Sequence, residues 1–371
     1  MKIAISSNTA WSIYNFRASL IKKLVSLGYE VVVVCPKDRY AEKLSNIGCM
    51  VYDIGIDNKG INPINDLWTL VKFYQCYQIV SADLVMQFTI KPVIYGTFAA
   101  RLLRIPVINT ITGLGTAFIS GKLLKKMVKI LYFLALRYSA KVFFQNRDDH
   151  AEIVGQGLVK DRDSVIVSGS GIDLNYFSPW PSVGHNNNAT VFLFIGRLLR
   201  DKGIREFAEA ARNIKREIPL AEFRVLGPMG SQNRTGIGRE EIKVWGKDGF
   251  VEYLGETDDV RPYIAEADCV VLPSYREGLP RSLLEAAAME RPVIATNVPG
   301  CRDVVLDGVS GFTCKVRSVE DLEKKMSVFC RMSSCEKEKM GKEGRRLVES
   351  KFSENTVIAT YIKSIQEIGR L

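Results

Sequence analysis

Two short stretches of the chain carry side chains that can bind an anion and stabilise charge on it. The first is Glu277-Gly-Leu-Pro-Arg-Ser-Leu-Leu-Glu285-Ala, which follows the apolar run Cys269–Leu272 through Pro273, Ser274, Tyr275 and Arg276. Gly278 and Pro280 make a tight turn. From Arg281 the pattern is helical, with Leu283, Leu284, Ala287 and Ala288 on one stripe. A turn that opens a helix leaves backbone N–H groups open at the positive end of the helix dipole, a site for phosphate. Glu277 then lies beside that site and Glu285 about one to two turns into the helix, so the two acids can reach different parts of one ligand. The second stretch is Gly196-Arg197-Leu198-Leu199-Arg200-Asp201-Lys202-Gly203, directly after Val191–Ile195. Gly196 permits close backbone approach, Arg197 can hold phosphate oxygens through two donors, and Lys202 acts as a point charge. Taken singly, each stretch reads more readily as surface: a pair of solvated glutamates, or a wet basic loop. In one parallel-sheet domain, however, both open on the same edge.

The elements that must position these loops are legible in the alternation of apolar runs and helical patterns. Lys2–Ser6, Glu30–Cys35, Met50–Ile54, Leu84–Gln87, Val107–Thr110, Val142–Gln145 and Val165–Ser168 read as buried strands, with Phe16–Leu27 as a helix stopped by Gly28. Repeated strand–helix alternation predicts a parallel sheet covered on both faces. The stretch NYFSPWPSVGHNNNAT breaks the pattern with linker chemistry. The alternation then restarts at Val191–Ile195, Glu222–Leu226, Phe250–Tyr253, Cys269–Leu272, Val293–Ala295 and Gly311–Thr313. The α/β chain therefore divides into a first domain over 1–177, a hinge over 178–189 and a second domain over 190–355. A last helix over 356–371 is expected to cross back to the first domain. Ligands of such sheets bind at the carboxyl ends of the strands, so a shared cleft is the expected site.

Length and charge fit this division. A chain of 371 residues exceeds one ordinary hydrophobic core. It has no 18-residue apolar stretch, and its start, MKIAISSNTAW, reads as a first strand rather than a signal peptide. Eight cysteines without CxxC spacing read as reduced thiols of a cytosolic protein, and with only two histidines zinc is disfavoured. The sole D-x-D triplet, Asp161-Arg-Asp163, reads as a polar turn rather than a metal site, so no metal ligand is assigned. The net charge of +10 is concentrated in residues 1–185, with 21 Lys/Arg against 13 Asp/Glu, which suits an anionic partner. Nucleic acid would explain the charge but neither acidic motif, and no aromatic-basic RNA signature is present.

The segments GRLLRDKG, EYLGETDDV, ADCVVLPSYREGLPRSLLEAAAMERPVIATNVPG and DVVLDGVSGF resemble the family 4 glycosyltransferases, densely over roughly 190–315. ITGLG at 111–115 and NYFSP near the hinge resemble the bacterial branch that builds surface polysaccharides on lipid carriers. The resemblance implies a GT-B fold, two Rossmann-like domains facing a central cleft. It also implies a retaining transferase that needs no metal or other cofactor. The donor would be a nucleotide diphosphate sugar, with a UDP-linked hexose or N-acetylhexosamine favoured. The acceptor would be a glycan on undecaprenyl pyrophosphate, in O-antigen or capsule-type synthesis.

Carried over by position, Arg197 and Lys202 hold the diphosphate, Glu277 the sugar hydroxyls and Glu285 the ribose. The backbone around Leu279, Pro280, Arg281, Ser282 and Leu283, with Gly196 and Gly278, cradles the donor. Asn8, Lys91, Thr112, Gly113 and Gly115 fall on the acceptor side. Two positions depart from the family pattern. Ser7-Asn8-Thr9-Ala10 stands where many relatives have a glycine pair. No histidine follows the fourth strand, where the run is Gln87-Phe-Thr-Ile-Lys-Pro92 and Lys91 is the nearest charged group.

Lys122, Lys125, Lys126 and Lys129 share one helical face, as in a helix lying on an anionic membrane surface; an ordinary amphipathic helix has the same pattern. The expected location is the inner face of the cytoplasmic membrane, held peripherally. Two other functions fit the architecture: a UDP-N-acetylhexosamine 2-epimerase, and a non-catalytic partner of another transferase. Two glutamates alone would also suit a retaining glycosidase, but a hydrolase needs no Arg/Lys phosphate clamp. An oxidoreductase is disfavoured, since no GxGxxG opens a helix after the first strand.

Overall fold

A computed structural model describes residues 1–56, 63–113, 130–180, 189–229 and 235–369. The chain forms two compact units, Met1–Ser170 with Glu354–Leu371, and Gly171–Ser353.

The first unit is built on seven parallel strands in the order β3-β2-β1-β4-β5-β6-β7. They are β1 (Lys2–Ser6), β2 (Glu30–Cys35), β3 (Met50–Asp53), β4 (Leu84–Phe88), β5 (Val107–Ile111), β6 (Lys141–Phe144) and β7 (Ser164–Ile166). Both faces are covered, which is why the strands are apolar runs rather than alternating patterns. Ile3, Ile5, Val31 and Val33 join one core with the helix Ala10–Ser26, while Ala4, Val32 and Val34 pack on Phe73 and Tyr77. The first helix begins six residues before the predicted Phe16. Extended Thr9 caps it by accepting the Ser12 N–H at 3.1 Å, a local bond that the apolar pattern does not announce. The Asp161–Asp163 triplet forms a single 3-10 turn ahead of β7.

The second unit holds six parallel strands in the order β10-β9-β8-β11-β12-β13. These are β8 (Val191–Ile195), β9 (Glu222–Leu226), β10 (Glu252–Tyr253), β11 (Cys269–Leu272), β12 (Val293–Thr296) and β13 (Gly311–Cys314). Gly171–Phe177, placed in the first domain by the sequence reading, belongs to this unit. Ile172 and Phe177 are buried in its core, and the Ile172 N–H donates to the Phe352 carbonyl at 2.9 Å. The last helix runs Glu354–Ile368 and belongs to the first unit. Its Tyr361 stacks on Phe143 at 4.3 Å between ring centres, and its hydroxyl shares a 2.9 Å hydrogen bond with Thr110.

In each sheet the winding reverses once, between β1 and β4 and between β8 and β11. Crevices at such switch points, outside the carboxyl ends of the strands, are the ligand sites of this architecture.

Candidate active site

Both sequence motifs leave the sheet of the second unit at its switch point: the loop Gly196–Gly203 follows β8, and Pro273–Pro280 follows β11. The structure ties them together. Lys202 forms an ion pair with Glu277 that is mostly shielded from solvent. The Tyr275 N–H and the Ser274 hydroxyl both donate to the Asp201 carbonyl, at 2.9 and 3.0 Å. The Tyr275 hydroxyl donates to Glu206 at 2.5 Å, and burial together with that carboxylate pushes the phenol up to about 12. Gly203 makes the close approach possible. At its φ of 72° a Cβ would lie 2.0 Å from the Pro273 carbonyl oxygen.

The helix Arg281–Ala288 then starts behind Pro280 with no side chain capping it and no acid in its first turn. Its leading N–H groups and dipole are available to an anion. Within it Arg281 donates to Glu285 at 3.0 Å. Burial pushes the Glu285 carboxyl above its usual range, against the opposing pull of Arg281. Arg197 is exposed at the rim, and its side chain has no partner among the described residues. Basic, acidic and backbone N–H groups therefore meet at one sheet edge, a set that can neutralise a diphosphate and accept from hydroxyls.

Two contributors escaped the sequence reading. Gly300, at φ 80°, would place a Cβ 2.6 Å from the Gly278 carbonyl oxygen and 2.7 Å from that of Glu277. The Glu277 N–H donates to the neighbouring Pro299 carbonyl at 3.2 Å. The Pro299-Gly300 pair marks a turn in the sequence, but not the loop it braces. Thr296, whose hydroxyl donates to the Ser274 carbonyl, gives no sequence signal at all.

The acceptor-side residues lie in the first unit. Asn8 follows β1, and its N–H donates to Thr89 Oγ1 at 3.1 Å. Lys91 follows β4, is buried, and donates to Asp66 Oδ1 at 2.8 Å. Thr112 is exposed after β5, next to Gly113 at φ 105°. Gly115 and the lysines 122, 125, 126 and 129 lie outside the described residues. Among the described residues no helix is long and apolar enough to cross a membrane, and the eight cysteines are free thiols.

Comparison with known proteins bears on both halves. A family model described as "Glycosyl transferase 4-like" matches residues 2–146, and one described as "Glycosyl transferases group 1" matches 189–331. The N,N'-diacetylbacillosaminyl-diphospho-undecaprenol alpha-1,3-N-acetylgalactosaminyltransferase of Campylobacter jejuni is 28% identical over 345 residues, 89% of either chain. The UDP-Gal:alpha-D-GlcNAc-diphosphoundecaprenol alpha-1,3-galactosyltransferase of Escherichia coli is 28% identical over 273 residues, 71% of this chain and 70% of the relative. Anabaena Alr3699/HepE in complex with UDP-glucose superposes with a TM-score of 0.79 at 17% identity over all of both chains. Sucrose-phosphate synthase from Thermosynechococcus elongatus superposes with a TM-score of 0.83 at 19% identity, covering 100% of this chain and 99% of its own. The fold is GT-B. These relatives are transferases or synthases, and they give no support to the epimerase or partner-subunit readings. Each half of the chain answers to a glycosyltransferase model of its own, and the chain belongs to the group 1, family 4 glycosyltransferases.

Proposed function

We propose that the protein is a retaining, metal-independent transferase. It moves a hexose or N-acetylhexosamine from a UDP-sugar to a glycan on undecaprenyl diphosphate, in synthesis of an O-antigen or capsule-type polysaccharide. The observation that carries this reading is the Lys202–Glu277 pair at the second switch point, four residues ahead of an uncapped helix start. Arg197 and Lys202 bind the diphosphate, with the amides at the start of the Arg281 helix. Glu277 accepts from the sugar hydroxyls while its ion pair ties it to the phosphate clamp. Glu285, held by Arg281, binds the ribose.

As the sugar–phosphate C–O bond breaks, negative charge grows on the leaving diphosphate, and these fixed groups stabilise it without a bound metal. One comparable preorganised donor contributes about 2.7–4 kcal/mol. The departing phosphate oxygen takes the proton of the acceptor hydroxyl as the new C–O bond forms on the same face, so no side-chain base is required. The names of the two bacterial relatives support this stereochemistry. Each specifies an alpha-1,3 product, and a UDP-hexose donor is itself α-configured. The same names support the diphospho-undecaprenol acceptor.

An acceptor of that kind places the enzyme on the inner face of the cytoplasmic membrane, held peripherally. Lys122, Lys125, Lys126 and Lys129 would supply roughly 1 kcal/mol each at an anionic surface. Ile130, Phe133 and Leu134, which follow them, are exposed apolar side chains. Flotation with anionic vesicles at low salt tests this, and failure to bind would remove it.

The decisive assay is a donor screen. The common nucleotide sugars are each incubated with EDTA, with and without a lipid-diphosphate-linked acceptor, and nucleotide release is read. Acceptor-dependent release from a UDP-sugar is expected. Release that needs no acceptor, or that EDTA abolishes, would overturn the reading.

A further inference from the structure

The switch point of the first unit carries a second built cluster that the donor chemistry leaves unused. β4 ends at Phe88, and Thr89 is then held at φ 69°. A β-branched residue occupies that left-handed conformation only under constraint. The chain passes next into a π-helical turn, Pro92–Gly96, a geometry that recurs where a helix is deformed at a functional site. Gly96 is confined within it: a Cβ there would meet Gln87 Nε2 at 2.5 Å and the Tyr77 hydroxyl at 2.8 Å.

Between the two irregularities sits Lys91. Only 8% of it is exposed, and its ammonium donates to Asp66 Oδ1 at 2.8 Å. Asp66 also takes a hydrogen bond from the Tyr95 hydroxyl. The β1 loop joins the cluster where the Asn8 N–H reaches Thr89 Oγ1. Ser7, next to Asn8, has a fully buried hydroxyl with no hydrogen-bond partner among the described residues.

The chemistry of this cluster is one-sided. A lysine ammonium carries three donors, and one goes to Asp66. The Asp66 carboxylate also accepts from Tyr95, and the other two ammonium donors have no partner among the described residues. An ion pair of this kind stabilises a fold no better than apolar side chains of the same volume. A buried ammonium with open donors, on a loop tied through Thr89 to the β1 loop that carries an unpartnered hydroxyl, is suited to an anionic ligand at the carboxyl edge of a switch point. With the donor diphosphate taken by the second unit, the remaining anion of the reaction is the diphosphate of the acceptor.

We propose that Lys91 binds the acceptor's diphosphate, with Asp66 and Tyr95 as positioning residues and the strained Thr89 setting the loop. The proposal rests on the transferase reading above. It is tested by binding and turnover of farnesyl-diphosphate-linked N-acetylglucosamine against the farnesyl glycoside lacking the diphosphate. Wild-type protein is expected to prefer the diphosphate compound. Lys91→Ala should lower that preference by tenfold or more, the size of a lost charge-assisted contact. Lys91→Arg should restore part of it, and UDP affinity by calorimetry should stay within twofold. The double variant Lys91→Gln/Asp66→Asn removes both charges while keeping a hydrogen-bonding pair, and reads the same loss if Lys91→Ala does not fold. An unchanged diphosphate preference in a folded variant overturns the proposal, as does an equal loss on both compounds. Direct binding separates this outcome from failure of the transferase reading, because it needs no turnover. A protein that binds the diphosphate compound through Lys91 yet transfers no sugar keeps this site and loses only the assigned reaction.

Discussion

The two switch points use the same architecture to opposite ends. After β8 and β11, a lysine and a glutamate pair at a helix start left open to an anion. At the exit of β4, Lys91 pairs inside the fold with Asp66 of the helix Pro63–Val80, which also accepts from Tyr95, two residues after the strained Thr89. The first arrangement joins two loops that lie 75 residues apart, each of them a short continuous motif. The second is assembled from a loop, a strand exit and a helix that are far apart in sequence. Each half of the donor clamp is written in one short motif. The second cluster draws single residues from separate elements, so each part can change separately.

Removing either half of the second-unit pair tests the contrast most severely. Lys202→Ala and Glu277→Ala should each lower kcat about 10²–10³-fold with unchanged circular dichroism, and near-normal turnover would dissolve the clamp. Next in size, Gly300→Ala forces a Cβ against the Gly278 and Glu277 carbonyls. It should cost about 1–3 kcal/mol of strain, read as a lower Tm, and weaken UDP binding through displaced Glu277. A variant as stable and as tightly binding as wild type would show that the loop has no such brace.

Glu285→Gln separates binding from stability. The folded carboxyl is raised above 4.5 by burial, so from that value upward the folded protein keeps a proton that the unfolded chain has released. Stability is therefore full below about pH 4.5 and declines as pH rises through the folded value. The amide should flatten this slope while weakening UDP affinity several-fold. A slope that persists in the variant would assign it to another group. The smallest effect is expected from Thr89→Gly. Relief of the left-handed strain offsets loss of the Asn8 contact, leaving stability within about 1 kcal/mol, while the acceptor KM rises. An unchanged KM would reduce Thr89 to a local turn.

The sequence exposes the fold and the clamp for the same physical reason. Parallel strands buried on both faces must be continuous apolar runs, and thirteen such runs lie within a few residues of the observed strands. The clamp's two motifs are equally local, Gly196–Gly203 and Glu277–Glu285, although Lys202 and Glu277 themselves lie 75 residues apart. The partner of Lys91 was illegible because Asp66, in the helix Pro63–Val80, belongs to no motif of its own. Thr110 and Tyr361 are separated by 251 residues, and nothing in either segment names the other. Helix starts set by one capping side chain, as at Thr9, are hidden from periodicity in the same way.

The return of the last helix has a consequence for engineering. Because Glu354–Ile368 packs on the first unit, the second unit is an insertion with both ends internal to the chain. Those ends meet: Ile172 bridges Ser353, and the Ile172 N–H reaches the Phe352 carbonyl. A segment whose entry and exit are adjacent can be lifted out and replaced with little disturbance of its host. Residues 171–353 are thus a natural cassette, and grafting the corresponding segment of a relative should exchange the nucleotide sugar while the acceptor machinery stays in place.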